Sequence, residues 1–281
     1  MNKFLVFQSD FGLVDGAVSA MYGVAYEVDP TLNIQNLTHE ITQYNIFEAS
    51  YRLFQTISYW PAGTVFVSVV DPGVGSHRKS VVAKMKNGQY IVTPDNGTLT
   101  HVAKSVGIEE MREISEKTNR LKDSEQSYTF HGRDVYAYTG ARLASGVIDF
   151  EGVGPLLNVE DVVKLPTFDS IFTDNSVTGQ VDILDVRFGS LWTSVSREDF
   201  AKLNIHYGQK VKVEIFHEHL MVFSSELPYV TSFSEVSIGA PLVYMNSVYC
   251  MGIAINQGSF SKAYSVGVGN SWTVKFTKVE G

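Results

Sequence analysis

The stretch from Thr64 to Arg78, which reads TVFVSVVDPGVGSHR, constrains the fold of this chain more than any other. Its first part, Val65–Val70, is uncharged and rich in β-branched residues, which is typical of a strand buried on both faces of a parallel sheet. Asp71 then ends the strand, and the proline and glycines that follow exclude regular structure. Because ligands bind beyond the carboxyl ends of strands in open parallel sheets, Asp71 and Arg78 are candidate site residues. The alternative interpretation is an Asp-Pro turn closed by a surface ion pair.

The order of predicted elements before this stretch indicates an α/β domain. We expect strands at Lys3–Phe7 and Leu32–Leu37, and helices at Asp15–Val28 and Asn45–Tyr59. The chain therefore alternates strand, helix, strand, helix, strand up to Asp71. Such alternation is typical of a mostly parallel sheet covered by helices.

The rest of the first half contains a predicted hairpin, an exposed loop and a helix. An Asn-Gly pair between Val81–Met85 and Tyr90–Thr93 is typical of a hairpin turn. The polar stretch Ser115–Gln126 predicts an exposed loop. A helix is expected at Val135–Ala144, with Gly146 in the position that ends it.

The pattern changes after Pro155, where short strand-like runs separated by glycines replace the alternation of strands and helices. This pattern is typical of an all-β barrel or sandwich. We therefore predict an α/β N-terminal domain at 1–165, a linker at 166–175 and a β-barrel C-terminal domain at 176–281. The strands expected in the second domain are Val181–Val186, Leu191–Val195, Lys210–Ile215, Val243–Met245, Val248–Ile255 and Trp272–Phe276, with one short helix at Arg197–Leu203.

Composition argues against several classes of protein. The net charge of −8 disfavours sequence-independent nucleic-acid binding, because that activity needs a basic face. The single cysteine, Cys250, lies in an apolar run and is expected to be a buried hydrophobic residue. The apolar runs are too short for a signal peptide or for a membrane span. A cytoplasmic protein without a membrane partner is the simplest expectation.

Four polar residues from three separate segments form a candidate active site. Asp10 and Asp71 each follow a predicted strand, so both are expected at the same edge of the parallel sheet. His131 lies just before a predicted helix, and it is expected at that edge together with Arg78. A carboxylate, a guanidinium and an imidazole at one edge suit a site that binds water or handles protons. Taken singly, Asp10 would only cap a turn and His131 would only cap a helix.

Other motifs carry weaker signals. The run Gly73–Gly75 lacks the third glycine and the following helix of a dinucleotide-binding loop. His39 lacks the second histidine of a zinc-protease helix, and His217 and His219 lack further ligands. We therefore predict neither a metal ion nor a cofactor.

These motifs together resemble the S-adenosyl-L-methionine hydroxide adenosyltransferase family, which is related to the fluorinating and chlorinating S-adenosylmethionine enzymes. The similarity covers nearly the whole chain in order and rests on SDFG, DPGVGSHR, PDNG, FHGRD, DVRFGSLWTSV and MNSVYCMGIAINQGS. The resemblance implies an α/β domain, a C-terminal β-barrel and a homotrimer with active sites between neighbouring subunits. It also implies that S-adenosylmethionine is cleaved with water to adenosine and methionine.

The resemblance assigns roles to residues of the first half. Asp71, Arg78 and His131 match the family's water-activating set. Asp10 matches the carboxylate that holds the ribose 2′- and 3′-hydroxyls, a role that suits an acceptor facing two donors. Tyr44 would cover the ribose or the sulfonium side.

Residues of the second half match the family's substrate contacts. Asp185, Phe188 and Trp192 match the motif that contacts the methionine end and stacks on adenine. Asn246 and Ser247 match the loop near the amino-acid carboxylate or the base.

One departure from the family pattern leaves alternatives open. Ser190 stands where the family usually has asparagine, which changes the expected contacts with the methionine end. The alternatives are a halide-using relative and a catalytically weak module that binds S-adenosylmethionine or adenosine. Asp71 disfavours the first, because it places a negative charge where the halide should lie. The intact set of Asp71, Arg78 and His131 disfavours the second.

Overall fold

In this computed structural model, which describes residues 3–279, the chain divides into two units between Leu165 and Pro166. Over the described residues, the first unit contains a mixed sheet of seven strands and the second an antiparallel sheet of eight. The predicted outer limits of the two domains, residues 1 and 281, lie outside the described residues. The predicted fold class, an α/β unit followed by an all-β unit, is confirmed.

The first sheet is parallel on one side and antiparallel on the other. Its strands are β1 (Phe4–Ser9), β2 (Asn33–Thr38), β3 (Val65–Val69), β4 (Ser80–Met85), β5 (Tyr90–Pro94), β6 (Ile108–Glu113) and β7 (Leu156–Leu157). Their order across the sheet is β2-β1-β3-β5-β4-β6-β7, and the first four are parallel. The predicted hairpin is the antiparallel pair β4–β5, which begins the antiparallel side.

Helices cover both faces of this sheet. They are α1 (Ala17–Val28), α2 (Ile46–Ile57), α3 (Thr100–Ser105), α4 (Glu116–Asn119) and α5 (Tyr138–Ser145), with short 3₁₀ turns at Glu151–Val153 and Val159–Asp161. Side chains of β3 alternate between the two layers: Val65 and Val67 pack with residues of α1 and α5, and Phe66 packs with residues of α2 and α3. The strand is buried along its whole length, as its composition predicts.

Two local predictions in this unit have different outcomes: the start of the second helix agrees with the structure, and the exposed loop does not. Asn45, where the second helix is predicted to begin, caps α2, because its Oδ1 accepts a hydrogen bond from the Glu48 amide at 3.0 Å. The stretch Ser115–Gln126 is not simply an exposed loop: it contains α4, and Asn119 and Arg120 are buried. The Asn119 side chain donates to the carbonyl of Val153 at 2.9 Å, so a polar residue is buried because the fold supplies it with a partner.

The helix that follows His131 begins earlier than predicted. A π-helical turn at Gly132–Ala137 runs directly into α5, so the HGRD motif lies in the first turn rather than before the helix. Gly146 ends α5 in the left-handed conformation at φ 79°, as its position predicts.

The second unit is a nearly closed antiparallel barrel. Its strands are β8 (Ile171–Thr173), β9 (Ser176–Asp185), β10 (Ser190–Ser196), β11 (Lys210–His217), β12 (Leu220–Pro228), β13 (Pro241–Met245), β14 (Cys250–Ile255) and β15 (Trp272–Lys278), with α6 (Arg197–Ala201), α7 (Phe260–Tyr264) and a 3₁₀ turn at Phe233–Glu235. Their order is β12-β11-β15-β9-β10-β14-β13, with β8 beside β9. The Val230 amide, just after β12, bonds the Val243 carbonyl of β13 at 3.0 Å and draws the two end strands together.

Sequence analysis missed β12, and it placed Ile171–Thr173 within the predicted linker, where the structure has β8. Much of β12 is exposed, so its apolar pattern is weak. Within residues 3–279, no helix combines the length and the apolar character needed to cross a bilayer.

Candidate active site

The loop after β3 brings Arg78 onto both oxygens of Asp71. The Arg78 Nε donates to Asp71 Oδ1 at 2.8 Å, and Nη2 donates to Oδ2 at 2.5 Å. The side chains are only 10% and 6% exposed, so this is not the surface ion pair of the alternative interpretation. A bidentate pair of this kind holds both groups in one orientation and is stronger than a neutral hydrogen bond.

Arg78 also contacts His131, and this contact determines where the imidazole carries its proton. The Arg78 Nη2 lies 3.1 Å from Nδ1 of His131. A guanidinium only donates, so Nδ1 accepts and the proton of the neutral ring is on Nε2. Burial is the largest cause that lowers the pKa of His131, which favours this neutral form. The buried Nε2 makes no hydrogen bond with any described residue.

Asp71 and His131 line a cavity of about 520 Å³ at the edge of the sheet. Asp10 and Asp15 line the same cavity, and its lining within residues 3–279 includes no lysine or arginine. Three carboxylates around one cavity favour a cationic ligand over an anionic one. Asp10, Asp71 and His131 therefore meet at one edge, although they come from distant parts of the chain.

Asp10 shapes the cavity through Tyr44. The Tyr44 amide donates to Asp10 Oδ2 at 2.8 Å, and Tyr44 has a left-handed backbone at φ 66° with a side chain 70% exposed. A non-glycine residue in this conformation is uncommon, and the bond to Asp10 stabilises it. Both residues line the cavity.

His39 holds the turn that presents Asp10. Its Nδ1 lies 2.7 Å from Ser9 Oγ, its Nε2 lies 2.9 Å from Asn36 Oδ1, and its carbonyl accepts from the Gly12 amide at 2.8 Å. Burial lowers the pKa of His39 to about 4. The sequence predicts only that His39 is not a metal ligand. Its role in holding this turn depends on partners in β1 and β2, and no local pattern indicates it.

We expect acid to destabilise the protein through His39. The unfolded histidine binds a proton near pH 6.5, whereas the native one does so near pH 4, so stability is lost as pH falls through this window. The full loss attributable to His39 is about 3 kcal/mol. Urea unfolding at pH 7 and at pH 4.5 measures the total loss, to which buried His101, whose pKa is also lowered to about 4, contributes as well. His39→Gln should show a smaller difference than wild type, and His77→Gln, at an exposed position, should behave as wild type. Equal pH dependence in all three proteins would contradict the assignment.

The second unit has a cavity of its own, with a volume of about 650 Å³. Five of the six residues expected in this half lie in its lining: Asp185, Phe188, Ser190, Trp192 and Ser247. Phe188 is 68% exposed and offers a free aromatic face, which suits stacking against a planar ring.

A hydrogen-bonded group forms the wall of this second cavity. The Trp192 Nε1 donates to the Tyr244 hydroxyl at 2.9 Å. Burial raises the pKa of Tyr244, whose hydroxyl lies close to Ser190. Gly189, at φ 68°, makes the turn before Ser190, and a Cβ there would lie 1.9 Å from Ser259 Oγ. Ser190, which follows this turn directly, is part of the cavity wall.

Asn246 does not line this cavity. It is 4% exposed, and its Oδ1 accepts from the amides of Val248 and Cys250, both at 3.0 Å. Asn246 thus shapes the β13–β14 loop that carries Ser247.

Sequence models of one family match both halves of the chain. The S-adenosyl-L-methionine hydroxide adenosyltransferase N-terminal domain matches residues 5–154, and the C-terminal domain of the same family matches residues 179–273. The chain belongs to this family. The resemblance seen in the sequence motifs is thereby confirmed.

Relatives in this S-adenosyl-L-methionine hydroxide adenosyltransferase family carry two different names. An (R)-S-adenosyl-L-methionine hydrolase from Methanocaldococcus jannaschii is 33% identical over 232 residues, 81% of this chain and 79% of the relative. A fluorinase from Nocardia brasiliensis is 28% identical over 298 residues, 98% of this chain and 97% of the relative. A crystal structure of an uncharacterized conserved protein from Thermotoga maritima matches with a TM-score of 0.90 at 33% identity, covering 98% of this chain and 100% of the other. The names of these relatives therefore do not distinguish hydrolysis from halogenation for this chain.

Metal binding and nucleophilic cysteine chemistry find little support among the described residues. Within residues 3–279, no group of three or more His, Cys, Asp or Glu side chains is placed to hold a metal ion. His217 stacks on Trp272, with ring centroids 4.3 Å apart. Burial raises the pKa of Cys250 to about 12, which leaves its thiol protonated and unreactive.

Two residues that contact the site were missed in the sequence. Ser80 begins β4, and its Oγ accepts from Arg78 Nη1 at 3.0 Å. Tyr136 lies in the π-helical turn, with its hydroxyl 3.0 Å from Ser80 Oγ. No motif marks them, since each looks like an ordinary residue of a strand or helix.

Proposed function

We propose that this protein hydrolyses S-adenosyl-L-methionine by attack of water on C5′, which releases adenosine and L-methionine. The observation that carries the proposal is that Arg78 bonds both Asp71 and His131 at the wall of a cavity lined by carboxylates. Such a cavity attracts a sulfonium cation and repels a halide anion, so it favours hydrolysis over halogenation. Membership of the family supports the choice of substrate.

The reaction needs a better nucleophile and correct placement. The leaving group is a neutral thioether, so no general acid is required. Water has a pKa of about 15.7, so forming free hydroxide at neutral pH is uphill by roughly 11–12 kcal/mol. One arginine and one histidine do not supply all of this. The proton is therefore removed during the attack, and fixed placement of the reactants contributes about 7–11 kcal/mol.

The hydrogen bonds of the site assign the roles. His131 has its Nδ1 occupied by Arg78 and its proton on Nε2, so it donates to the attacking oxygen and does not act as the base. Asp71 accepts the proton, and Arg78 orients its carboxylate. The C5′–O bond forms as the C5′–S bond breaks, the sulfur keeps the electron pair, and the water proton passes to Asp71.

The remaining predicted residues bind the substrate in this proposal. Asp10 accepts from the ribose hydroxyls and Tyr44 covers the ribose or the sulfonium. In the second unit, Phe188 and Trp192 contact adenine, and Asp185 the methionine end. Asn246 holds the loop that carries Ser247, and the Ser190 hydroxyl supports Tyr244 rather than replacing the amide of an asparagine.

The proposal includes a homotrimer with active sites between neighbouring subunits, as the family resemblance implies. Exposed apolar side chains support it: Leu13 and Val14, in the loop that carries Asp15, are 64% and 103% exposed. Exposed apolar groups beside a cavity mark a surface that another chain covers. The mass of the protein in solution checks the oligomeric state.

The experiment is incubation with S-adenosylmethionine in ¹⁸O-labelled water, followed by chromatography and mass spectrometry. Attack on C5′ predicts adenosine with one ¹⁸O at the 5′-hydroxyl and unlabelled methionine. The same incubation with chloride should give no 5′-chloro-5′-deoxyadenosine. Tight retention of intact substrate would indicate a binding module, and a chlorinated product would indicate a halogenating enzyme; either result overturns the proposal.

A further inference from the structure

Arg78 has two buried neighbours that do not line the cavity. Ser80 and Tyr136 are 5% and 0% exposed, and neither belongs to the cavity lining. Ser80 Oγ accepts from Nη1 of Arg78 at 3.0 Å and lies 3.0 Å from the Tyr136 hydroxyl. The Cζ of Arg78 also lies 5.7 Å from the centroid of the Tyr136 ring. Asp71, His131 and Ser80 thus occupy all three nitrogens of the guanidinium.

The π-helical turn places two side chains of one helix, His131 and Tyr136, near Arg78. His131 and Tyr136 are five residues apart, and in an α-helix of 3.6 residues per turn they would point roughly 140° apart. In the turn at Gly132–Ala137, backbone hydrogen bonds instead join residues five apart. Side chains at this spacing therefore lie on nearly the same face of the helix. His131 bonds Arg78 directly, and Tyr136 bonds it through Ser80. Such turns are frequent at functional sites.

We propose that Ser80 and Tyr136 are positioning residues that fix the rotation of the Arg78 guanidinium, so that it meets Asp71 and His131 at the same time. The inference rests on the proposed function, since it concerns the same reaction. Without the bond at Nη1, the guanidinium can turn and exchange its two-point contact with Asp71 for a single one. Small errors in the placement of a nucleophile have large effects on rate. Burial raises the pKa of Tyr136, so its hydroxyl stays neutral and hydrogen-bonded.

Tyr136→Phe tests the inference because it keeps the ring and removes only the hydroxyl. We expect kcat for S-adenosylmethionine hydrolysis to fall about tenfold, with KM and adenosine affinity unchanged. Ser80→Ala removes the direct partner of Arg78, so the fall in kcat should be at least as large. The matched control is Tyr138→Phe, in the same helix, where the ring contacts Arg142 and not Arg78. It should behave as wild type.

A double-mutant cycle separates positioning from a general structural role. If Tyr136 acts through Arg78, Tyr136→Phe should cause no further fall in kcat when Arg78→Lys is already present. A structural role would lower kcat by the same factor in both backgrounds. Unchanged kcat in Tyr136→Phe, or equal losses in the two backgrounds, would overturn the inference.

An activity-independent measurement distinguishes this inference from the proposed function. In ¹⁵N NMR spectra, the Nη–H signals of Arg78 should show slow rotation in wild type and in Tyr138→Phe, and faster rotation in Tyr136→Phe and Ser80→Ala. Equal rotation rates in all four proteins would overturn the positioning role even if adenosine is formed. Slow rotation relieved by Tyr136→Phe, without any hydrolysis in the wild type, would support the positioning role and refute the proposed function.

Discussion

Asp71→Asn is expected to lower kcat for S-adenosylmethionine hydrolysis about 1000-fold. An amide does not accept the proton of the attacking water, and it loses the charge-assisted two-point contact with Arg78. The substitution leaves the ribose and adenine contacts proposed for other residues in place, so affinity for adenosine should change by less than about threefold. Single-turnover kinetics and calorimetric titration with adenosine measure the two effects separately.

A matched control exists on the neighbouring strand. Asp95 follows β5 directly, is not in the cavity lining, and accepts from the Val163 amide at 3.0 Å, a bond that asparagine also makes. Asp95→Asn should therefore retain wild-type kcat. Asp71→Asn leaves the nearly buried Arg78 without its charged partner, so some loss of stability accompanies the loss of activity. If adenosine affinity falls as far as kcat, the assignment of Asp71 as proton acceptor is wrong.

Asp10→Ala is expected to produce the opposite kinetic pattern. In the proposed complex the Asp10 carboxylate accepts from two ribose hydroxyls, so its loss should raise KM for S-adenosylmethionine and weaken adenosine binding about 100-fold. The value of kcat should stay within about threefold, because Asp10 does not contact the attacking water in the proposed mechanism. Steady-state kinetics and calorimetry with adenosine give both quantities.

A modified nucleoside makes the Asp10 test specific. Wild type should bind adenosine more tightly than 2′-deoxyadenosine. Asp10→Ala should bind the two nucleosides equally, because it lacks the carboxylate that is proposed to accept from the 2′-hydroxyl. Asp10→Asn keeps an acceptor for the Tyr44 amide, so it separates loss of the ribose contact from a shift of the Tyr44 loop. Persistent discrimination in Asp10→Ala would contradict the assignment.

Features set by neighbouring residues were predictable from the sequence. The burial of β3 follows from its β-branched composition, the start of α2 from the Asn45 cap, and the end of α5 from Gly146. The edge shared by Asp10 and Asp71 follows from the rule that parallel strands end on one side. In each case, the interaction that decides the structure is local or belongs to a general rule of sheet topology.

Features set by distant partners were not predictable. Asn119 reads as a loop residue, yet it is buried because the distant carbonyls of Gly152 and Val153 accept from its side chain. His39 carries no signal of its role because Ser9 becomes its neighbour only when β1 and β2 pair. In both cases, burial of a polar group depends on partners that the fold supplies.

The amino-acid sequence by itself determined the two kinds of unit, the edge at which the polar residues gather and the family to which the chain belongs. The tertiary structure alone decided that one guanidinium bonds Asp71, His131 and Ser80 at the same time. It thereby decided the proton position on His131 and the place of Tyr136. The physical reason is that hydrogen bonds depend on tenths of an ångström and on donor direction. Those quantities arise from packing between segments far apart in the chain, including one π-helical turn, and no local pattern of residues encodes them.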